Sequence, residues 1–305
     1  MTKKTIYLNK PNEDWIVDRF RNEWYKYKKD ISTNNILKAN NIWLIAPWTW
    51  NRISKRLLNK TRVICTIHHI DFSKFDDETE KDFYARDKYV NVYHAISTKT
   101  KNQLSKLTNK EIITIPFWAN QDIWFQIDDK EKLKEKYDLS DKGFIIGSFQ
   151  RDTEGSDLKS PKLSKGPDQF LDIIKNYIEN NKKIHVVLSG KRRNYLIDNF
   201  KKLNINYSYF EMMSFKDLNE LYNCLDLYIV SSRVEGGPQA IIECGLSKVP
   251  IISTDVGIAN EVLSSESIFN MDNFTNAIPN TEVAYRNSLK YVIPDGFKKF
   301  DGLFE

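Results

Sequence analysis

Two kinds of segment alternate along this chain. Short apolar runs, of the length of strands buried on both faces, are separated by longer amphipathic stretches in which apolar positions return every three or four residues. That rhythm is the βα repeat of a parallel sheet, and it occurs twice. The first series predicts strands at Thr5–Leu8, Ile42–Ala46, Arg62–Ile67, Val90–Ile96 and Glu111–Ile115, with helices at Glu13–Lys29, Asn51–Leu58, Asp77–Lys88 and Lys99–Lys106. The second predicts strands at Phe144–Ser148, Ile184–Ser189, Asn206–Phe210, Asp226–Val230 and Val249–Ser253. Its helices are expected at Gly166–Asn180, Tyr195–Lys202, Phe215–Asn223, Pro238–Leu246 and Ala259–Leu263, with more helix after Asp272. Between the series, Pro116–Asp141 is aromatic and then strongly charged, and Asp129–Tyr137 reads as a solvated helix. The expected organisation is α/β, with one doubly wound domain over 1–125, a second over 126–290, and a separate terminal segment over 291–305.

A chain of 305 residues has room for two such domains and their cores. No apolar run reaches the length of a membrane span. The start, Met1-Thr2-Lys3-Lys4 followed only by Thr5–Leu8, lacks the apolar stretch of a signal peptide, so the expected location is the cytoplasm. Cys65, Cys224 and Cys244 are odd in number and lie in or beside apolar runs, which favours buried thiols over disulfides or metal ligands. The formal charge of +5 is uneven: 26 Lys+Arg against 19 Asp+Glu up to residue 140, then 20 against 22. A basic first half suits an anionic acceptor or peripheral contact with an acidic membrane, and equally suits plain solvated lysines. No basic stripe with interleaved aromatics marks nucleic acid. No G-x-G-x-x-G follows a candidate strand, as a dinucleotide-binding dehydrogenase would require.

The most informative stretch is Ser231-Ser232-Arg233-Val234-Glu235-Gly236-Gly237-Pro238-Gln239-Ala240-Ile241-Ile242-Glu243. The apolar run Leu225–Val230 before it predicts a strand, and Gly236-Gly237-Pro238 predicts a tight turn opening a helix with proline in its first turn. Such a turn lies at the carboxyl edge of the sheet, where open α/β sheets bind ligands. The glycines admit close approach, and the free amides at the helix start suit phosphate or hydroxyl oxygens. Glu235 lies at the mouth, while Gln239 and Glu243 share a helix face. Carboxylates flanking an anion-favouring turn fit a ligand that carries both negative charge and hydroxyls, such as a nucleotide sugar.

Glu235 and Glu243, with the glycines between them, resemble the paired-glutamate motif of the retaining GT-B glycosyltransferases, family four of the sugar transferases. The similarity runs through Leu218–Leu263 and, more weakly, over most of the chain. The resemblance implies two Rossmann-like domains facing across a cleft, the first on the acceptor side and the second binding the nucleotide sugar. It also implies a last helix that packs back on the first domain, for which Phe297, Phe300, Leu303 and Phe304 would be the anchors.

Site residues carry over position by position. Glu235 with the amides of Gly236, Gly237, Pro238 and Gln239 would fix the donor sugar, and Glu243 would bind the ribose. Lys165, in Ser164-Lys165-Gly166, matches the family's diphosphate-binding lysine. Arg151 is its basic partner, although it stands three residues beyond the usual position, here Ser148; a solvated loop cation is the alternative for both. His68, at the end of Thr66-Ile67-His68, matches the histidine that contacts the donor sugar, or else it packs or caps. His94 and His185 lie on predicted strands and read as core. Trp48 and Trp50 follow a strand, where an acceptor sugar could stack on a ring.

Lys191-Arg192-Arg193 reads as a solvated loop that would at most add positive potential. Phe210–Phe215 would contact the base, with methionine near the family's usual glycine leaving its identity open. Uridine, guanosine and adenosine diphosphate sugars therefore remain alternatives. The implied chemistry is a same-face displacement with no metal, no Asp-x-Asp, and a carbohydrate or lipid-linked acceptor. Two rivals stay open: a GT-B enzyme that epimerises or hydrolyses a nucleotide sugar, and a nucleotide-binding protein without turnover.

Overall fold

The structure, a computed structural model of the chain, describes residues 4–13, 16–180 and 183–305. The basic start at Met1–Lys3 and residues 14–15 of the first predicted helix lie outside the described residues. Two units result, Met1–Trp118 with Pro294–Glu305, and Ala119–Ile293.

In the first unit five parallel strands pair in sequence order: β1 (Ile6–Leu8), β2 (Asn41–Leu44), β3 (Arg62–Ile67), β4 (Val92–Ala95) and β5 (Ile112–Thr114). Ser32 adds a parallel bridge to Ile6 on the other side of β1, so the winding reverses there. Helices α1 (Ile16–Tyr27), α2 (Lys55–Lys60), α3 (Asp77–Asp87) and α4 (Thr98–Leu104) connect the strands. The apolar runs form strands because both faces are covered: every residue of β2 and β4 is buried. Asp76 and Ser97 cap the amides of Thr79 and Thr100, which sets where α3 and α4 begin.

The second unit opens with α5 (Lys130–Lys136) and builds a six-stranded sheet. Its elements are β6 (Phe144–Ser148), α6 (Pro167–Glu179), β7 (Ile184–Ser189), α7 (Asn194–Lys202), β8 (Tyr207–Phe210), α8 (Phe215–Asn223), β9 (Leu227–Val230), α9 (Gln239–Leu246), β10 (Ile251–Thr254), α10 (Ala259–Val262), β11 (Ile268–Phe269) and α11 (Thr281–Ser288). The order is β11-β10-β9-β6-β7-β8, all parallel. The chain leaves β6 through β7 and β8 on one side and returns as β9, β10 and β11 on the other, so a topological switch point lies between β6 and β9. Among the described residues no helix is long and apolar enough to cross a membrane.

Two expectations change. Helix α5 is not wholly solvated: Leu133 is buried in the core, Lys136 pairs with Glu220, and the Tyr137 hydroxyl donates to the same carboxylate at 2.7 Å. The terminal segment is not one helix but α12 (Asp295–Lys298) followed by a separate 3-10 turn, Asp301–Phe304, each carrying a glycine that weakens helical continuity. Its apolar side chains are nevertheless buried in the first unit, with the Phe297 ring 4.5 Å from Trp118 and 5.7 Å from Trp24 between centroids.

Candidate functional site

Four loops of the second unit meet at the carboxyl edge of its sheet, beside the switch point. Gly166 occupies the left-handed region (φ 61°), and a Cβ there would stand 1.8 Å from the Ser231 carbonyl oxygen. Only glycine allows the turn after β6 to lie this close to the end of β9. Hydrogen bonds then sew the two loops together. Ser231 Oγ donates to the Gly166 carbonyl (2.8 Å) and Gln169 Nε2 to the Ser231 carbonyl (2.7 Å). The amides of Arg233 and Val234 donate to the Ser164 carbonyl at 2.9 and 3.0 Å. Gln150 Nε2 donates to the Lys165 carbonyl (2.9 Å), and the Arg233 guanidinium grips Asp168 with two bonds of 2.7 and 2.6 Å. The result is that Lys165 forms an ion pair with Glu235, their side chains 19% and 11% exposed. From the β10 side, Gly257 (φ 51°) presses on Gly236, where a Cβ would come within 2.4 Å of the carbonyl oxygen.

Helix α9 starts at Gln239, so Pro238 is its N-cap and does not lie within the first turn. The amides of that turn lack intrahelical acceptors, as at any helix start, and Gln239 Oε1 is a buried acceptor with no hydrogen-bond partner among the described residues. One turn further in, Glu243 is buried and accepts a 3.0 Å bond from the Tyr222 hydroxyl, whose pKa burial raises well above the usual phenol value. Behind it, Gly245 permits close packing on α11, since a Cβ would meet Ser288 Oγ at 2.1 Å.

Between β6 and α6 the chain makes a hairpin. Thr153 and Pro161 bridge antiparallel, the Lys162 amide donates to the Asp152 carbonyl at 2.8 Å, and Glu154 and Ser160 bond similarly at 2.9 Å. Arg151, at its base, turns back and donates from Nε to the Thr153 carbonyl (2.7 Å); burial and the neighbouring Arg192 lower its pKa. The solvated reading of Lys191-Arg192-Arg193 fails at Arg193. That side chain is fully buried, with Nε 3.2 Å from Asp152 Oδ2 in an ion pair and further contacts to Gln150 and Ser148. Burial pushes the Asp152 carboxyl up, and Arg193 offsets only part of that. Lys162, which the sequence reading passed over, is half-buried; burial, then Lys165 and Arg151, bring its pKa down to about 8. The available signal was a second lysine one turn before Lys165.

In the first unit His68 follows β3, with Nε2 2.8 Å from the Ile45 carbonyl. A carbonyl only accepts, so Nε2 carries the proton and Nδ1 is left as an acceptor. Burial brings the pKa down to about 4, which keeps the ring neutral. Trp48 is 45% exposed, donates to Glu13 at 2.8 Å and lies 5.7 Å from the His68 ring. Trp50 is different: it is 6% exposed, packed in the core and bonded to Asp82, so it presents no ring face for stacking. His94 is core, accepting from Thr66 and donating to the Ile115 carbonyl, and His185 is buried against Ser208. All three cysteines are buried and free. Among the described residues no group of three or more His, Cys, Asp or Glu could hold a metal ion.

Residues 158–274 match the glycosyl transferases group 1 family. No curated protein matches the chain in sequence. Among solved structures the chain is similar to Anabaena Alr3699/HepE in complex with UDP-glucose, with a TM-score of 0.76 at 12% identity, covering 98% of this chain and 99% of that one. It is also similar to sucrose-phosphate synthase (tll1590) from Thermosynechococcus elongatus, with a TM-score of 0.64 at 15% identity over 95% of this chain and 73% of that one. A glycosyltransferase from Rickettsia africae ESF-5 gives 0.63 at 17% identity, over 97% and 82%. Residues 158–274 are thus a glycosyl transferases group 1 domain, in a chain that has the GT-B glycosyltransferase fold.

Proposed function

We propose that this protein is a retaining glycosyltransferase that moves a sugar from a nucleotide-diphosphate sugar to a hydroxyl of a glycan, glycolipid or similar acceptor. One observation carries the reading: Lys165, Glu235 and the start of α9 with Glu243 gather at the switch point of the second sheet. Glu243 binds the ribose hydroxyls, Lys165 and Arg151 bind the diphosphate, and Glu235 with the amides of Gly236, Gly237 and Gln239 holds the sugar; Pro238 contributes its ring and carbonyl only. Cations on the diphosphate stabilise charge that grows on the leaving group. The departing phosphate takes the proton of the acceptor hydroxyl as the new bond forms on the same face of the sugar, and the protein supplies orientation and charge complementarity. His68, neutral with a free acceptor nitrogen, is suited to a sugar hydroxyl. The HepE structure holds UDP-glucose, so a uridine diphosphate hexose is the first donor to try. The basic first half suits an acidic or membrane-borne acceptor.

The test is a donor panel with calorimetry and product analysis. Glu243→Ala is expected mainly to weaken donor binding and Glu235→Ala mainly to lower turnover. Equal wild-type kinetics in both variants would remove the pair from the mechanism. Release of epimer or free sugar without any acceptor would select the epimerase or hydrolase instead, and binding without consumption would select the non-catalytic reading.

A further inference from the structure

Lys162 is a cation with nowhere to put its charge. Its backbone is fixed at both ends: the amide donates to Asp152 in the hairpin, and the carbonyl accepts from the Lys165 amide at 2.8 Å, so Lys162 and Lys165 flank a single 3-10 turn, Leu163–Lys165. Its side chain is half-buried, yet its ammonium has no hydrogen bond or ion pair among the described residues. The charged groups that act on it are Lys165, Arg151, Glu235 and Glu154. Glu235 is already engaged by Lys165. Arg151 is oriented by its bond to the Thr153 carbonyl. A half-buried ammonium near two other cations, with one nearby carboxylate, Glu235, already engaged and Glu154 opposing the cations only in part, is stabilised by an anion that joins the set.

We propose that Lys162 is a third cation of the donor diphosphate site, its ammonium binding a phosphate oxygen beside Lys165 and Arg151. The inference rests on the diphosphate reading of that site and extends it to a residue outside the family's paired cations. The hairpin then has a role: it delivers Lys162 to the turn, and the Asp152–Arg193 pair anchors its base. Anion binding favours the protonated amine, so affinity is highest below about pH 8 and falls above it, where the free lysine loses its proton. The terminal phosphate, with a pKa of about 6, is already ionised there.

Calorimetry with UDP, GDP and ADP and their nucleosides, on wild type, Lys162→Gln, Lys162→Arg and Lys165→Ala, tests this. For the diphosphate that binds, Lys162→Gln is expected to weaken binding about tenfold or more, as loss of a charge-assisted hydrogen bond does, and to leave the nucleoside unaffected. Lys162→Arg should keep most of the affinity. In buffers of differing ionisation enthalpy at pH 8, wild type should take up roughly half a proton per diphosphate bound, and Lys162→Gln none. The backbone bonds at Lys162 do not involve its side chain, and a thermal melt of each variant checks that it is folded before binding is measured. Unchanged affinity and proton uptake in Lys162→Gln, alongside weakened binding in Lys165→Ala, overturns the role of Lys162 and leaves the site reading intact. Absence of diphosphate binding to wild type overturns both.

Discussion

Replacing Gly166 by alanine tests whether the close approach of two loops builds the site. The new Cβ would begin 1.8 Å from the Ser231 carbonyl oxygen, and the contact must open to roughly 3 Å or more before repulsion ends. That retreat breaks the Ser231 Oγ to Gly166 and Gln169 to Ser231 bonds, now 2.8 and 2.7 Å, each worth about 1 kcal/mol. A left-handed backbone at a residue with a Cβ costs about 1–2 kcal/mol more. The sum is roughly 3–4 kcal/mol, which for a unit of this size lowers Tm by roughly 6–16 °C. Lys165, the preceding residue, moves with the turn, so binding of UDP, GDP or ADP should weaken as well. Thermal melts followed by calorimetry measure both effects. Gly302→Ala is the control, since a Cβ there meets nothing within 4 Å, and it should melt like wild type. A Gly166→Ala protein that melts within about 2 °C of wild type and binds the same nucleotide equally well would refute the account.

Two further outcomes follow from buried charge. His94 is held neutral by burial with its pKa near 3, against about 6.5 in the unfolded chain. The unfolded state therefore takes the proton first, and stability should fall as pH drops from about 6.5 towards 3, with His94 contributing up to about 1.4 kcal/mol per unit and His68, lowered to about 4, adding to it over the upper part of that range; urea midpoints that stay flat over pH 6.5 to about 4.5 would contradict this. Arg193→Met leaves Asp152 buried without its partner and should destabilise the second unit by about 3–5 kcal/mol. It should also speed proteolytic cleavage in the 152–162 hairpin, and a wild-type urea midpoint would show that the pair carries no such weight.

The sheets were legible because their strands are buried on both faces and read as predominantly apolar runs, as at Arg62–Ile67 and Ile184–Ser189. The strand, turn and helix carrying Glu235 and Glu243 were legible for the same reason, with glycine and proline marking the turn. Ser32 and β11 escaped because one bridge residue and a two-residue strand carry no periodicity. The side chains were harder. Arg193 stands in a basic triplet, and only the arrival of Asp152 from another loop makes its burial tolerable. Trp50 sits two positions from exposed Trp48, and its inward direction depends on Asp82 of α3. Lys162 needed the hairpin before its isolation could be seen.

The return of the chain into its first unit bears on how the molecule is made. Phe297, Phe300, Leu303 and Phe304 fill the same interior as Trp24 and Trp43, so a ribosome that has released residues 1–118 has not yet supplied all the parts of that interior. Until residues 294–305 emerge, the indole surfaces stay open while the intervening unit, contiguous from Ala119 to Ile293, is free to fold. Synthesis therefore favours the order second unit first, and a nascent chain stalled before Pro294 should display sticky aromatic surface that chaperones would recognise.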